Sequence, residues 1–416
     1  NAIASNVGGT DSYAVMNDGR LFQPSGDGGT ESNAFPTWTN GDYIGVALDM
    51  DNGKLFFSKN GTFEHAGSSS DPANGTNPVN DVTLTGVWGP CIGNGPSMTA
   101  TTNFGQRAFQ HAAPSGFKCF CTANLPEPAI KDPSTVFDAQ IYRGRGGSQT
   151  ISSFNFDPDM IWAKCRSNAI SHIIYDQIRT AGEHKGINPD LVRPMGGCYD
   201  SGSGEYGYIS AFTSNGFTGT DGTQGTDYVN QDGHTYVTYG WEADTATSWT
   251  WGANSKAYSR RTNATAGFSI IKFTADGSTG IPGTGALPHG LGGKPDIVFS
   301  KRLDADGSWW TGFDCLDGSF DVLKLEDDDD KSDESYDIYD ADEVSNWGCA
   351  NNSEHVYYVF KSVSGYSKVG TYTGNASNDG PFVYTGFKPK WLLIKRTDSD
   401  MGWLLVDAAR NTVNPI

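Results

Sequence analysis

The chain has 416 residues, and 48 Asp and Glu against 29 Lys and Arg give it a formal net charge of −19. A field of this sign repels phosphate backbones, and no apolar stretch approaches the roughly 20 residues that span a bilayer, so the sequence disfavours nucleic-acid binding and membrane insertion. The 53 Gly, with Ser, Thr, Asn and Asp between short apolar runs, are typical of short strands joined by tight turns.

The seven cysteines are an odd number and include no Cys-x-x-Cys pair. We interpret them as mostly buried thiols rather than as a disulfide framework, because disulfide-rich chains usually carry an even, closely spaced set. This interpretation suits assembly in a reducing cytoplasm.

The first clear element is a hairpin. Residues 43–49 form an alternating run, Asn52-Gly53 follows, and residues 54–59 form a returning run. Asn-Gly between two such runs is the strongest short-range hairpin signal, because both residues tolerate a positive φ. A second pair, Asn60-Gly61, predicts the next turn.

This hairpin also resembles a known family. The strand Gly-Asp-Tyr-Ile-Gly-Val-Ala-Leu-Asp, the Asn-Gly turn and the strand ending Phe-Phe-Ser-Lys-Asn-Gly resemble the SPRY domain family, and residues 101–106 resemble that family's closing strand. The resemblance implies an antiparallel β-sandwich over residues 1–125, whose loops bind partners, most often proteins. The family's opening strands are missing or degenerate before Trp38, so we expect the native polypeptide to begin upstream of residue 1.

A linker and an internal repeat follow. Prolines at 126, 128 and 133 predict a stiff linker over residues 126–134. The repeat core is Pro-Asp-Met-Ile-Trp-Ala-Lys at 158–164, and it returns as Pro-Asp-Ile-Val-Phe-Ser-Lys at 295–301 and as Pro-Lys-Trp-Leu-Leu-Ile-Lys at 389–395.

Each copy places a Lys six residues after its Pro and an Asp 18 or 19 residues after it. This spacing predicts the same ion pair in each copy: Lys164 with Asp176, Lys301 with Asp314, and Lys395 with Asp407.

Strand-like runs flank the copies. Runs at 268–273 and 366–372 precede the second and third copies, and closing runs at 235–241 and 355–360 follow the first two. The sequence therefore predicts an all-β fold: a SPRY-like sandwich, then tandem β-sandwich-like repeat units at 135–265, 266–365 and 366–416. The third unit lacks a closing run, so we expect the native polypeptide to continue past residue 416.

The repeats and the junction at 114–126 resemble domains that recur in virion proteins of marine bacteriophages. The closest part runs from Tyr-Thr-Gly-Asn at 372–375 through Gly-Phe-Lys-Pro at 386–389 to Asp407 and Arg410. The resemblance implies a virion structural protein, of tail-fibre or tail-associated type, that is assembled in the host cytoplasm and contributes to host-surface attachment by non-covalent binding. It implies other virion proteins and a host cell-surface glycan or protein as partners, and a homo-oligomer, with a trimer favoured.

Aromatic residues in Gly- and Asp-rich segments are the candidate receptor contacts. An indole can stack on a sugar ring while a nearby carboxylate bonds its hydroxyls. The candidate binding residues are Trp249, Trp251, Trp309, Trp310, Asp304 and Asp306. If Trp309 and Trp310 lie on a strand, one of them points away from the sheet. Trp162, Trp241 and Trp391, on repeat strands, are predicted core residues.

An acidic run is the candidate metal site. Asp327, Asp328, Asp329 and Asp330 offer oxygen ligands to a divalent cation such as calcium. Adjacent carboxylates also repel one another and commonly form a solvated loop, which is the alternative. No other cofactor is indicated.

The sequence carries no recognisable catalytic motif. None of the seven histidines lies in a His-Glu-x-x-His spacing, and neither a Gly-x-Ser-x-Gly elbow nor a phosphate-binding loop is present. We therefore expect a protein without enzyme activity. A head-decorating or scaffold virion protein, a cellular lectin-like adhesin and a polysaccharide depolymerase remain as alternatives.

Overall fold

The computed structural model describes residues 2–6, 12–23, 30–31, 33–81, 88–92, 100–121, 124, 128–195, 206–223, 227–244, 246–251, 256–277, 286–334, 339–346 and 349–410. Its regular structure consists of β-strands in antiparallel sheets and short 3-10 turns, so the predicted all-β fold is confirmed. Within these ranges no helix is long and apolar enough to cross a membrane. The chain divides into two compact units, Asn1–Pro126 and Glu127–Ile416, which we call the N-terminal and C-terminal units.

The N-terminal unit is built from two sheets. One contains β1 (Ala2–Asn6), β2 (Ser12–Val15), β3 (Leu21–Phe22), β4 (Thr30–Glu31) and β10 (Trp88–Ile92) in the order β10-β1-β2-β3-β4. The other contains β5 (Ile44–Asp49), β6 (Lys54–Lys59), β7 (Thr62–His65), β8 (Ser68–Ser69) and β9 (Asn80–Asp81). Apolar side chains from both sheets share one core, including Tyr13, Val15, Leu21, Leu55 and Phe57. Four strands therefore precede Trp38, where the sequence suggested degenerate ones.

Both predicted Asn-Gly turns are confirmed. β5 and β6 pair from Ile44 opposite Lys59 to Asp49 opposite Lys54, and the loop between them bends at Gly53, with φ 67°. Asn60 and Gly61 both have positive φ, at 49° and 84°, and they join β6 to β7 as a two-residue turn.

The strand expected at residues 101–106 is not formed. The side chain of Asn103 accepts a hydrogen bond from the Gly105 N–H at 3.1 Å, and the Gln106 side chain accepts one from the Phe104 N–H at 2.6 Å. These local bonds occupy backbone donors that a strand would use, and Gly105 has φ 110°. The segment is therefore a turn, although the SPRY resemblance itself stays a prediction.

The first repeat contains two sheets. The first has the order β11-β17-β13-β14, from β11 (Phe137–Arg143), β13 (Met160–Cys165), β14 (Ile173–Asp176) and β17 (Thr235–Trp241). The second has the order β12-β16-β15, from β12 (Ser148–Ile151), β15 (Tyr208–Thr213) and β16 (Gly216–Thr220). Ile161, Ala163 and Tyr175 of the first sheet share a core with Ile151 and Phe217 of the second.

The second repeat forms an eight-stranded sheet in the order β18-β19-β20-β27-β22-β23-β24-β25. Its strands are β18 (Thr247–Trp251), β19 (Lys256–Asn263), β20 (Phe268–Thr274), β22 (Ile297–Arg302), β23 (Trp310–Phe313), β24 (Phe320–Lys324), β25 (Ser332–Glu334) and β27 (Glu354–Phe360). A small sheet joins β21 (Leu287–Pro288) to β26 (Glu343–Val344). β18 and β19, which the sequence placed in the unit at 135–265, thus pair with the second repeat.

The two repeats share one strand order. An opening strand (β11 or β20) pairs with a closing strand (β17 or β27), which pairs with a proline strand (β13 or β22), which pairs with an aspartate strand (β14 or β23). The third repeat has a proline strand, β28 (Trp391–Ile394), and an aspartate strand, β29 (Leu404–Asp407), which pair with each other.

One apolar core joins the three repeats. Trp162, Trp241 and Tyr239 of the first repeat lie in the same cluster as Phe299, Trp309 and Tyr358 of the second, and Trp391, Leu393 and Leu405 of the third pack against it. The predicted core positions of Trp162 and Trp241 are confirmed, and Trp391 is half-buried against the same cluster. We call this cluster the central core.

The described cysteines only partly match the sequence interpretation. The described cysteines Cys119, Cys121, Cys165, Cys315 and Cys349 are thiols that take part in no disulfide. Cys165 is buried, whereas the other four are half-buried.

Candidate functional site

The predicted Lys–Asp pairs are wrong in all three copies. The ammonium groups contact backbone carbonyls instead: Lys164 that of Cys165 at 2.9 Å, Lys301 that of Val192 at 2.8 Å, and Lys395 that of Asp328 at 3.0 Å. Equal spacing in sequence placed both residues in one repeat but did not fix the direction of either side chain.

The repeat Asp residues pair with arginines. The Arg179 Nε donates to Asp176 Oδ2 at 2.6 Å, and both side chains are fully buried. The Arg410 Nε likewise donates to Asp407 Oδ2. In both copies the Arg follows the Asp by three residues, so an Asp-x-x-Arg spacing in the sequence was the available signal.

The second repeat lacks this pair. Asp317 stands three residues after Asp314, where the other copies have Arg. The Asp314 carboxylate instead contacts Lys294 Nζ at 2.5 Å.

Each buried Asp also accepts a hydrogen bond from a tyrosine of a different repeat. The Tyr358 hydroxyl, on the closing strand of the second repeat, donates to Asp176 of the first at 2.6 Å. The Tyr239 hydroxyl, on the closing strand of the first repeat, donates to Asp407 of the third at 2.7 Å. Tyr239 lies opposite Trp162 and Tyr358 lies opposite Phe299, so the two tyrosines hold equivalent positions in their sheets.

We call these two Asp–Arg–Tyr groups the junction sites. Burial raises the pKa of both tyrosines well above the ordinary value, so their hydroxyls remain hydrogen-bond donors. Burial opposes ionisation of Asp407, but bonds from Tyr239 and Arg410 outweigh it and keep the pKa of Asp407 low. Each junction site is therefore a charged, hydrogen-bonded link between two repeats.

A family model for a domain of unknown function, DUF7483, matches residues 132–416 and so contains both junction sites. The chain belongs to the DUF7483 family. No curated protein and no solved structure matches the chain.

Within the DUF7483 region, the adjacent residues Trp309 and Trp310, both predicted to contact a ligand, differ in their burial. Trp309 is fully buried, donates its indole N–H to the Asn188 carbonyl at 2.7 Å, and stacks on Tyr358 with ring centres 6.2 Å apart. Its predicted role in ligand contact is corrected to a central-core role, because its ring fills the space between two repeats. Trp310 points outward and is 39% exposed.

Asp304 and Asp306 are exposed on the loop between β22 and β23, which also leads to Trp310. Slight burial opposes ionisation of Asp304, but Arg302, whose Nε donates to it at 2.7 Å, leaves its pKa below the usual range. Trp249 and Trp251 lie on β18, and their side chains are outside the part of the chain that the structure describes.

The predicted acidic metal site is partly assembled. Ligand oxygens of Asp327, Asp328 and Asp329 lie within 4.8 Å of one another, and Asp330 is not in this group. Lys324 Nζ contacts Asp329 at 2.8 Å and Asp327 at 3.5 Å. An ammonium group already neutralises two of the carboxylates, so a calcium ion would have to displace it.

A second acidic group, missed in the sequence, surrounds a lysine. Asp317, Asp321 and Asp333 all contact the ammonium group of Lys331, with Asp321 at 2.7 Å. Bonds from Asp321 and Asp333 raise the pKa of Lys331. The residues come from a loop and two strands, β24 and β25, and their pairing brings the carboxylates together.

Proposed function

We propose that this DUF7483 chain is a structural protein of a bacteriophage virion, of tail-fibre or tail-associated type, that contributes to host-surface attachment by non-covalent binding. The observation that carries the proposal is the locking of three β-repeats around one central core by the two junction sites. Repeats that are fixed against each other in this way are suited to transmit force between a particle and a cell without sliding.

The energetics of the junction sites support such a role. Asp176 and Arg179 are fully buried, and removing one partner of a buried ion pair typically costs about 3–5 kcal/mol. The tyrosine adds a further bond from another repeat. Relative motion of the repeats would leave buried charges without partners, so the junction sites favour one arrangement.

The loop between β22 and β23, on which Asp304 and Asp306 are exposed, is the best-placed attachment surface. It presents Asp304 and Asp306 and ends at the outward-facing Trp310. Binding groups on a loop that is held by a rigid sheet lose little entropy when they meet a ligand. A glycan is the ligand class that this combination of indole and carboxylates fits.

Immunogold electron microscopy with an antibody to this chain tests the location. Label at the ends of tail appendages is the expected result. Label spread over the head would replace attachment with a decorating role. Label that is absent from particles but present on cell surfaces would favour a cellular adhesin and overturn the proposal.

Binding to host cells tests the attachment surface. We expect the variant Trp310→Ala to bind host cells more weakly than the unaltered chain, because it loses the stacking surface. Phe382→Ala is the matched control, since Phe382 is an aromatic residue that is 91% exposed on the third repeat. Equal loss in both variants, or loss in neither, would remove the loop from the attachment role.

A further inference from the structure

Two thiols of the N-terminal unit are in direct contact. Cys119 Sγ and Cys121 Sγ lie 3.3 Å apart, and either S–H can donate to the other sulfur. Both residues are half-buried, and Phe120 between them is exposed. The pair is therefore within reach of small molecules in the solvent.

The backbone brings the two sulfurs to this distance. The Cys121 N–H donates to the Cys119 carbonyl at 2.9 Å, and such a bond between residues i and i+2 closes a γ-turn. The sulfurs of a disulfide are about 2.0 Å apart, so a movement of about 1.3 Å from the present 3.3 Å would form the bond.

The side chain of Asn124 contacts both sulfurs. Its Nδ2 donates to the Cys119 carbonyl at 2.8 Å and to Cys119 Sγ at 2.8 Å, and it lies 3.4 Å from Cys121 Sγ. The hydrogen bond shared with Cys121 raises the pKa of Cys119, and the Asn124 amide opposes that rise. An amide N–H that points at a sulfur favours its thiolate, which is the form that attacks a disulfide.

A neighbouring turn leaves room for the sulfur pair. A Cβ at Gly105 would lie 2.7 Å from Cys119 Sγ and 3.4 Å from Cys121 Sγ, so a larger residue there would crowd both sulfurs. The rings of Phe104 and Phe120, which meet edge to face with centres 6.2 Å apart, hold the same two segments together. The two thiols thus lie in a formed site.

The surroundings of the pair do not favour a metal ion. Structural zinc sites use four protein ligands. In the part of the chain that the structure describes, the groups of three or more potential ligand side chains consist of aspartates alone, and neither group includes a cysteine. Two adjacent sulfurs without further ligands fit disulfide chemistry instead.

We propose that Cys119 and Cys121 form a reversible disulfide by exchange with a low-molecular-weight disulfide of the glutathione class. One protein thiolate attacks the small disulfide, which gives a mixed disulfide and releases one small thiol. The second protein thiolate then attacks the protein sulfur of the mixed disulfide, which forms the internal bond and releases the other small thiol. The two cysteines lose two electrons and two protons, and the two small thiols carry them away. The inference does not rest on the proposed virion role.

This disulfide would be a redox-sensitive site rather than a stabilising cross-link. It closes a loop of only three residues, 119–121, so the chain entropy that it removes from the unfolded state is small. Disulfides that are strained or exposed are also the labile ones. We therefore expect an excess of dithiothreitol to reduce it in the folded chain.

Mass spectrometry tests the proposal. The full chain is incubated with millimolar oxidised glutathione, its remaining thiols are alkylated, and it is digested with trypsin. Cleavage after Lys118 and Lys131 places both cysteines in one peptide with no other cysteine. We expect this peptide to become two hydrogen atoms lighter and to take no alkylating reagent. The mixed disulfide should be about tenfold or more less abundant, because the second thiol is already in contact.

Two glycine variants show whether the fold assembles the site. Gly105→Ala crowds both sulfurs and should lower the ratio of internal to mixed disulfide by about tenfold. Gly116→Ala is the matched control, because Gly116 also has a positive φ but a Cβ there would meet nothing within 4 Å. Cys121→Ser, which keeps only the thiol of Cys119, should stop at the mixed disulfide.

Several results would overturn the proposal. They are a mixed disulfide that accumulates in the unaltered chain, a peptide 119–131 that stays fully alkylated, and a disulfide that joins two chains. Equal ratios in Gly105→Ala and Gly116→Ala would also overturn it, because the fold would then play no part in pairing the two sulfurs.

Discussion

Tyr358 of the second repeat donates a 2.6 Å hydrogen bond to Asp176 of the first, across 182 positions of sequence. The same contact recurs between Tyr239 of the first repeat and Asp407 of the third. The closing strand of one repeat thus completes the charged site of another, so the repeats are expected to unfold together rather than one at a time.

Tyr358→Phe tests this link. The substitution keeps the ring in the central core and removes the hydroxyl from Asp176, so we expect the free energy of unfolding to fall by about 1–3 kcal/mol. Urea denaturation followed by tryptophan fluorescence gives the value. Tyr372→Phe, at an exposed tyrosine, should change stability by less than about 0.5 kcal/mol. Equal effects of the two variants would contradict a junction role for Tyr358.

Asp176 and Arg179 should show strong coupling. Arg179→Met leaves the buried Asp176 carboxylate with two uncharged donors, the Tyr358 hydroxyl and the backbone N–H of residue 179, so its charge is no longer neutralised and we expect a loss of about 3–5 kcal/mol. The double variant Asp176→Leu with Arg179→Met leaves no unpaired charge and should be more stable than Arg179→Met. The single variant Asp176→Leu completes the cycle, and a double-variant loss equal to the sum of the two single losses would show that the two residues do not act as a pair.

Local patterns in the sequence predicted the strands and several turns well. The hairpin of β5 and β6 and the repeat strands follow from alternation and Asn-Gly pairs, which act between neighbours. The junction sites could not be predicted in the same way, because Tyr358 and Asp176 meet only after two sheets have packed. Only the Asp-x-x-Arg spacing of each site, as from Asp176 to Arg179, could be identified in the sequence.

The direction in which a side chain points was the feature that the sequence repeatedly failed to predict. The repeat spacing suggested that Lys301 pairs with Asp314, but Lys301 turns to the carbonyl of Val192 in the first repeat. Of the adjacent Trp309 and Trp310, the sequence indicated only that one points away, and packing between repeats decided that Trp309 is the buried one.

Lys324→Gln tests the acidic metal site. Lys324 occupies the position between Asp327 and Asp329 that a cation would take, so its removal should tighten calcium binding. Isothermal titration of calcium into both proteins measures the change, and Lys331→Gln, at the other acidic group, separates a local effect from a change in net charge. Equal calcium affinity in the unaltered chain and in Lys324→Gln would show that these carboxylates do not form a cation site.

His172 makes the free energy of unfolding depend on pH. Its Nδ1 accepts a hydrogen bond from the Trp162 indole N–H at 2.9 Å, which requires an unprotonated Nδ1. Burial, aided by the nearby charges of Lys164 and Arg410, lowers the pKa of His172 from 6.5 to about 4. Between these values the unfolded chain binds the proton and the folded chain does not, so stability falls as the pH falls from 6.5 towards 4.

His172→Asn should reduce that loss. The Asn side-chain oxygen can still accept from Trp162, but it does not titrate, so the variant should lose less stability than the unaltered chain between pH 6.5 and pH 4. The difference is at most about 3 kcal/mol, and partial exposure of the ring makes it smaller. Urea unfolding at a series of pH values measures it. His355, whose pKa burial also lowers to about 4, titrates in both proteins, so identical pH profiles would assign the acid sensitivity to His355 and to the carboxylates instead of to His172.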